Sequence, residues 1–296
     1  MQSDRASRTA VLVCQGRAAA HQRIAPDRFS DPTAMAMLRA DERVPVDQVR
    51  AGTPPRGAGA RVEFELVRAC AEVMVPRTVA IDEAVRGRAA PQLVILGSGL
   101  DGRAWRMAEL AGMDVYEVDH PASQRDKRDR VGDLPPPAAG PPRYVPVDFA
   151  RDRLGDALRS AGHQASVPTT WVWEGVVPYL TRAEVTVTVA VLTERSAPGS
   201  ALVVNYQTPA LAAAVGRLAA RAMAALAGRP SPWRGEPRRS SWTPAALRDL
   251  LNWHGFTVEG DDDLETIARQ LSVPVRQRMS LRNGRIATAT AAVRAR

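Results

Sequence analysis

Residues 92–103 run Gln92-Leu93-Val94-Ile95-Leu96-Gly97-Ser98-Gly99-Leu100-Asp101-Gly102-Arg103. The unbroken apolar run Leu93 to Leu96 predicts a strand buried on both faces, and the Gly-x-Gly behind it lets the chain turn at once into a helix. Such a turn presents free backbone N–H groups at the carboxyl end of a strand, where open α/β sheets bind their ligands. Taken alone, the loop suits an ordinary strand-to-helix connection equally well. It also departs from a dinucleotide fingerprint, because Gly102 follows Gly99 by three residues while the helix opens on Leu100-Asp101.

Downstream, short β-branched runs alternate with amphipathic segments, the rhythm of a parallel sheet with crossover helices. Strands are predicted at Gln92–Leu96, Asp114–Val118, Arg143–Val147, Thr169–Trp173, Ala201–Tyr206, Thr257–Glu259 and Arg285–Val293. Helices fall near Gly102–Leu110, Pro121–Val131, Leu154–Ala161, Arg182–Arg195, Pro244–His254 and Leu264–Leu271. The small residues of the last strand, Ala287 to Thr290, suit an antiparallel insertion beside its neighbour. The expected fold class is therefore α/β, a doubly wound, seven-stranded, mostly parallel sheet of Rossmann-like type. Ala210–Ala227 reads as an additional alanine-rich helix and Ser231–Ser241 as an exposed loop, together an insertion over 207–241.

Upstream of Pro91 the pattern is helical, without a strand. Ser3 to Arg39 is helical with a break at Pro26 and a restart at Asp31-Pro32, where Asp31 caps the new helix. Val44 to Gly59, with three prolines and three glycines, reads as a loop before a helix from Ala60 to Val75. Pro76 punctuates that helix and a further one runs to Arg88. The chain thus divides into an N-terminal helical cap, residues 1–90, and a ligand-binding domain, residues 91–296.

Acidic residues at the predicted strand ends give the Gly-x-Gly loop its chemistry. Asp119 closes the second strand 22 positions after Gly97, where a carboxylate accepts both hydroxyls of an adenosine ribose. Asp148, followed by Phe149, ends the third strand and offers an acceptor for an exocyclic amine. Glu174 and Tyr179, in Trp173-Glu174-Gly175-Val176-Val177-Pro178-Tyr179, put an acid and a phenol on the same rim. Arg77, just ahead of the first strand, is placed to pair with a carboxylate. Loop and acids together point to a nucleoside-containing cofactor.

The 296 residues carry a net charge of +8 with 24% charged residues, and 39 of the 40 cationic side chains are arginine, Lys127 being the exception. These arginines are scattered rather than gathered into an aromatic-interleaved stripe, so a nucleic-acid partner is not expected. Cys14 and Cys70 have neither disulfide-framework nor zinc spacing, so no metal is expected. No apolar run is long enough to span a bilayer, and neither a membrane partner nor a signal peptide is expected; the setting read from this is the cytoplasm. Oligomeric state is not encoded in any motif.

The ordered set resembles the class I S-adenosylmethionine-dependent methyltransferases, specifically the leucine carboxyl methyltransferase-like family with its actinobacterial small-molecule branch. The resemblance runs through Thr9-Ala10, Arg17-Ala18, Asp31-Pro32-x-Ala34, Arg77-Thr-x-x-Ile81-Asp82, Leu96-Gly-Ser-Gly-Leu-Asp101-x-Arg103-x-x-Arg106, Glu117-Val-Asp119-x-Pro121, Val147-Asp148-Phe149 and Glu174-Gly-Val-x-x-Tyr179-Leu180. It implies S-adenosyl-L-methionine as cofactor and a small-molecule acceptor, a carboxylate first and a phenol or alcohol of secondary metabolism next. It also implies that Arg77 holds the methionine carboxylate, Gly97 and Gly99 lie against the cofactor, and Asp119 takes the ribose. Asp148 and Phe149 frame adenine, Glu174 lines the methionine end, and Tyr179 sits near the acceptor as the catalytic candidate. Asp101, Arg103 and Arg106 are expected to brace the loop. The family's usual LGAGLDTR is here LGSGLDGR, and Arg17-Ala18 lacks the glutamate that usually follows. For an acceptor needing deprotonation, Tyr179, His21 and His254 are the candidate assistants, with His120 and His163 read as surface or turn residues. For an anionic substrate the candidates are Arg8, Arg17 and Arg28. The rivals are a non-catalytic cofactor-binding module, a nucleic-acid methyltransferase and an NAD-dependent dehydrogenase; the missing third glycine disfavours the last.

Overall fold

The computed structural model describes residues 7–292 apart from 89, 133, 139, 150, 210–237 and 274. The expected helix Ala210–Ala227 and most of the loop Ser231–Ser241 lie outside the described residues. One seven-stranded sheet organises the chain, in the order β3-β2-β1-β4-β5-β7-β6. Strands β1 (Gln92–Leu96), β2 (Asp114–Asp119), β3 (Arg143–Pro146), β4 (Thr169–Trp173) and β5 (Ala201–Gln207) are parallel. Strand β7 (Gly284–Ala291) inserts antiparallel between β5 and β6 (Phe256–Asp263), as the small-residue pattern predicts.

Every residue of β1 and β4 is buried, and alternation sends their side chains into two cores. Leu93, Ile95 and Val172 join the helical N-terminal residues on one face. Val94, Leu96, Trp171 and Trp173 meet α8 (Arg182–Glu194) and α9 (Pro244–Trp253) on the other. Because β1 is flanked by β2 on one side and β4 on the other, the connections diverge at its carboxyl end and open a crevice there.

The N-terminal helices depart from the sequence reading at two prolines and, ahead of them, where the first helix ends at Ala20, short of the expected break at Pro26. Instead of a loop over Val44–Gly59, α3 (Ala40–Ala51) carries Pro45 in its second turn. Glu42 accepts from the Arg39 backbone N–H at 2.9 Å to cap its start, and Gly52 ends it in the left-handed region, φ +68°. Pro76 likewise interrupts nothing: α4 (Ala58–Arg86) is one 29-residue helix. Val67, Ala71, Val75 and Val79 bury one stripe along both halves, which outweighs the roughly 3 kcal/mol an interior proline costs. The remaining helices ahead of the sheet are α1 (Arg8–Ala20) and the single turn α2 (Thr33–Ala36).

After the glycine loop, the predicted helix Gly102–Leu110 is only α5 (Arg103–Arg106) and a 3₁₀ turn, Ala108–Leu110, because buried Met107 turns extended between them. Strand β6 is longer than predicted: a bulge at Val258/Gly260 carries it into Asp261–Asp263. That acidic end is held by Arg285, 2.8 Å from Asp261, and by the Tyr206 hydroxyl, which donates to Asp261 at 2.7 Å. Helices α6 (Pro121–Val131), α7 (Leu154–Ser160), α10 (Leu264–Gln270) and α11 (Arg278–Asn283) complete the described elements; the last was not expected.

His163 is not a surface residue. The turn before β4 tucks it beneath the amino ends of the strands, 3% exposed, with its ring 5.5 Å from that of Tyr116 and 5.1 Å from that of Trp171. Burial, and then the charge of Arg195, push its imidazole down to about 4 and keep it neutral. The unfolded residue titrates near 6.5, so the unfolded chain binds the extra proton between these values, and stability is lost as pH falls from 6.5 through 4. Urea unfolding is expected to show this fall flattened in His163→Gln; parallel stability profiles in the two proteins would refute the assignment.

Candidate active site

The glycine loop occupies the crevice at the carboxyl end of β1. Gly97 and Gly99 have φ of +65° and +46°, the left-handed region where a side chain is strained. Contact is as demanding as conformation: a Cβ on Gly97 would stand 2.1 Å from Val176 Cγ2, and one on Gly99 3.1 Å from Ala10 Cβ. The loop is thus held between the segment after β4 and the first turn of α1. Its N–H groups are also committed: Gly97 and Ser98 donate to the Val118 carbonyl at 2.7 and 3.1 Å, and Gly99 donates to Asp119 Oδ2 at 2.6 Å.

Asp119 therefore organises the loop. Its other oxygen accepts from the His120 N–H at 2.6 Å. Burial raises its pKa and the two N–H bonds only partly offset this. Beneath it, Lys127 and Glu117 form a pair at 2.5 Å with no exposed side-chain surface. Burial outweighs Lys127 and pushes Glu117 up to about 7. The Val147 N–H donates to the Asp119 carbonyl at 2.9 Å, which places Asp148 and Phe149 beside Asp119 on the rim. Asp148 is partly exposed, with Arg151 3.8 Å away, and half-buried Phe149 packs on the sheet core.

On the other side of the loop lies a buried ion network. Arg103 Nε is 2.8 Å from Asp82 and its Nη1 reaches both Asp101 and, at 2.8 Å, Glu174. Arg106 sits 2.6 Å from Asp82, and Arg17 sits 2.8 Å from Asp31 while donating to the Leu100 carbonyl. Arg77 Nε lies 2.8 Å from Glu174 Oε1. Burial works to raise the Glu174 carboxyl, but Arg103 and Arg77 prevail and hold it below the usual carboxylate range. Arg77, Gly97, Gly99, Asp119 and Glu174 therefore converge. Tyr179 lies further along the rim, partly buried, in the 3₁₀ turn Val177–Tyr179.

Other candidates fall elsewhere. Arg17 is consumed by Asp31, and Arg28 pairs with Glu83 on the surface. His21 accepts from the Asp31 N–H at 3.2 Å, and His120 caps α6. His254 ends α9 just before β6, whose start pairs with Ala291 near Ser200, at the opposite end of the sheet. The reading missed Thr33 and gave Asp82 no role. Thr33 Oγ1 donates to Asp31 Oδ1 at 2.7 Å and stands 2.2 Å from where a Cβ on Gly102 would lie. The unusual glycine at 102 was the available signal.

The strand order with its antiparallel β7, the glycine loop and the acid at the end of β2 define the class I methyltransferase fold. The solved apo structure of the S-adenosylmethionine-dependent methyltransferase SibL shares it, with a TM-score of 0.51 at 13% identity, over 79% of this chain and 59% of that one. The family model for leucine carboxyl methyltransferase matches residues 10–193. A Mycolicibacterium vanbaalenii protein, named as an S-adenosyl-L-methionine-dependent methyltransferase, is 34% identical over 211 residues, 67% of this chain and 65% of that protein. The chain thus spans just under two thirds of that relative's length. A Mycobacteroides abscessus protein of the same name is 32% identical over 266 residues, covering 88% of this chain and 86% of that one. This chain belongs to the leucine carboxyl methyltransferase family.

The contact between Thr33 and Gly102 is testable by a double-mutant cycle. Gly102→Ala is expected to destabilise by about 1–3 kcal/mol through overpacking. Thr33→Ala is expected to cost about 1 kcal/mol for the lost hydrogen bond. The double variant should cost clearly less than the sum in denaturant unfolding, since removing the hydroxyl makes room for the methyl. Additive costs would show that the two positions do not meet.

Proposed function

We propose that this chain moves a methyl group from S-adenosyl-L-methionine to an oxygen of a small molecule, a carboxylate first and a phenolic or hydroxyl oxygen second, in the cytoplasm and within secondary metabolism. The observation that carries the reading is the Arg77–Glu174 pair. The two lie 2.8 Å apart and buried, yet neither Arg77 Nε nor Glu174 Oε1 has a hydrogen-bond partner among the described residues. A zwitterionic amino-acid end would add an aligned partner to each, a carboxylate for Arg77 and an ammonium for Glu174. Asp119 would take the ribose hydroxyls, Gly97 and Gly99 would admit the cofactor against the backbone, and Asp148 and Phe149 would frame the adenine. The residues present fit this cofactor.

Bound there, the cofactor supplies an activated methyl group on a sulfonium. The chain's own task is to hold an acceptor oxygen in line and to exclude water. A carboxylate acceptor is already a nucleophile and asks for no base. A phenol or alcohol calls on Tyr179, the one of the three candidate assistants on the rim. A small-molecule partner is supported by the fate of the arginines: Arg17, Arg77, Arg103 and Arg106 serve internal ion pairs rather than a basic stripe.

Calorimetric titration with S-adenosylmethionine and S-adenosylhomocysteine, with NAD as control, is expected to show saturable binding of the sulfur compounds alone. Asp119→Ala should weaken that binding at least about a hundredfold, roughly 2.7 kcal/mol. Tyr179→Phe should bind normally and change turnover on a panel of carboxylic acids and phenols. Unaltered affinity in Asp119→Ala would overturn the site assignment.

A further inference from the structure

The chain's one lysine lies where no water reaches. Of its 40 cationic residues 39 are arginine, yet Lys127 on α6 has no exposed side-chain surface, and neither has its partner Glu117 on β2. An ammonium is a compact point charge, whereas a guanidinium brings a planar fork of five donors, so a closed slot beside one carboxylate selects the former. Trp105 of α5 covers the ammonium, its ring centre 5.4 Å from Nζ. Gln124 of α6 donates to the Glu117 and Val145 carbonyls at 2.8 and 2.9 Å, which fastens this helix to β2 and β3. Tyr116 and Val118 pack into one core, so strand alternation puts Glu117 and Asp119 together on the other face, about 7 Å apart along β2.

Three carboxylates share this one charge. Burial works to raise Asp119, and the Gly99 and His120 N–H groups, Lys127 and the Ser123 hydroxyl pull it back. Asp101, in the glycine loop, is held below the usual carboxylate range against its burial by Arg103 and then Lys127. Glu117 is raised by burial and further by Asp101 and Asp119, with Lys127 opposing. The other charged or titratable groups at this place are Tyr144 on β3, paired with Glu117 in the ladder and carrying Arg128 over its ring, and His120, whose ring caps α6. We propose that Lys127 and Glu117 are positioning residues for Asp119: the buried ammonium keeps that carboxylate in the anionic form that accepts the ribose hydroxyls, and Glu117 sets how much of the charge reaches it. The inference rests on the cofactor reading above and concerns the charge behind the acid, since both residues act through Asp119 and neither meets the ligand.

The test follows calorimetric affinity for S-adenosylhomocysteine between about pH 4.5 and pH 7, with thermal unfolding at each pH to confirm that the variants are folded. Affinity is lost as pH falls and Asp119 takes up a proton. Lys127→Met removes the charge that opposes this protonation and is expected to move the loss upward by at least about half a pH unit, roughly threefold in affinity at a fixed acidic pH. Glu117→Gln leaves Lys127 facing Asp119 and Asp101 alone and is expected to move the loss downward. His120 and His163 are present in every variant, so the differences between profiles belong to the pair. Should Lys127→Met fail to fold, Lys127→Met/Glu117→Gln, which leaves the slot uncharged, takes its place and is expected to lose affinity at higher pH than Glu117→Gln. A purely structural pair would weaken binding alike at every pH. Profiles of folded variants that shift in the same direction, or do not shift, would overturn the proposal. Failure of the unsubstituted chain to bind S-adenosylhomocysteine would instead overturn the cofactor reading, and this inference with it.

Discussion

Arg103 holds the rim of the sheet together. Its guanidinium, 2% exposed, reaches Asp82 on α4, Asp101 in the glycine loop and Glu174 after β4, three segments far apart in sequence. Withdrawing one such charge from water unpaired costs several kcal/mol, which only well-placed opposite charges offset. Here Arg17, Arg77, Arg103 and Arg106 are matched by Asp31, Asp82, Asp101 and Glu174, so the cluster is electroneutral. Its contribution is register more than stability: the loop, the long helix and the end of β4 can satisfy these charges only in one mutual arrangement.

That arrangement decides what the crevice can bind. Glu174 stays ionised because Arg103 and Arg77 outweigh its burial, and Arg77 remains incompletely bonded because Glu174 engages it by charge rather than by an aligned N–H. A zwitterion can enter such a corner without leaving a new charge uncompensated. Across the loop, Asp119 engages the Gly99 and His120 N–H groups with its two oxygens, which fixes its plane. On the proposed reading, the same carboxylate shapes the loop and takes the ribose.

The sequence made the sheet legible because its signals were local. Leu93 to Leu96, the closing Asp119 and the small residues of β7 each carry their own pattern. Legibility failed where tertiary contact overrides local preference. Pro45 and Pro76 are helix breakers by themselves, but burial along one stripe carries α4 through the second of them. Gly260 and three aspartates look unlike a strand until Arg285 and Tyr206 are set opposite them. His163 carried no local sign of burial, since its cage is built from β2, β4 and Arg195. Within the site, residue types at strand ends were readable, whereas pairings such as Arg17 with Asp31 or Thr33 against Gly102 join segments whose proximity no local pattern records.

The coupling of the first ninety residues to the loop bears on where an acceptor meets the methyl group. Arg17 donates to the Leu100 carbonyl, Thr33 fills the space above Gly102 and Ala10 covers Gly99, so the N-terminal helices close one face of the loop. Val176 closes the other face against Gly97. On the proposed reading, the acceptor must then approach along the rim beyond Val176, past Tyr179. Among the described residues, segment 238–242 lies against that turn: the Arg239 N–H donates to the Pro178 carbonyl at 2.7 Å and the Ser240 hydroxyl to that of Val177 at 3.0 Å. Trp242 anchors it, buried, with the Arg182 guanidinium 4.4 Å from its ring centre and its backbone N–H donating to the Gln207 carbonyl at 2.9 Å. On that reading, cofactor recognition and acceptor choice rest on opposite sides of Gly97, the first on a closed network of charges and the second on a turn held mainly by backbone hydrogen bonds, so that its side chains can differ without disturbing the first.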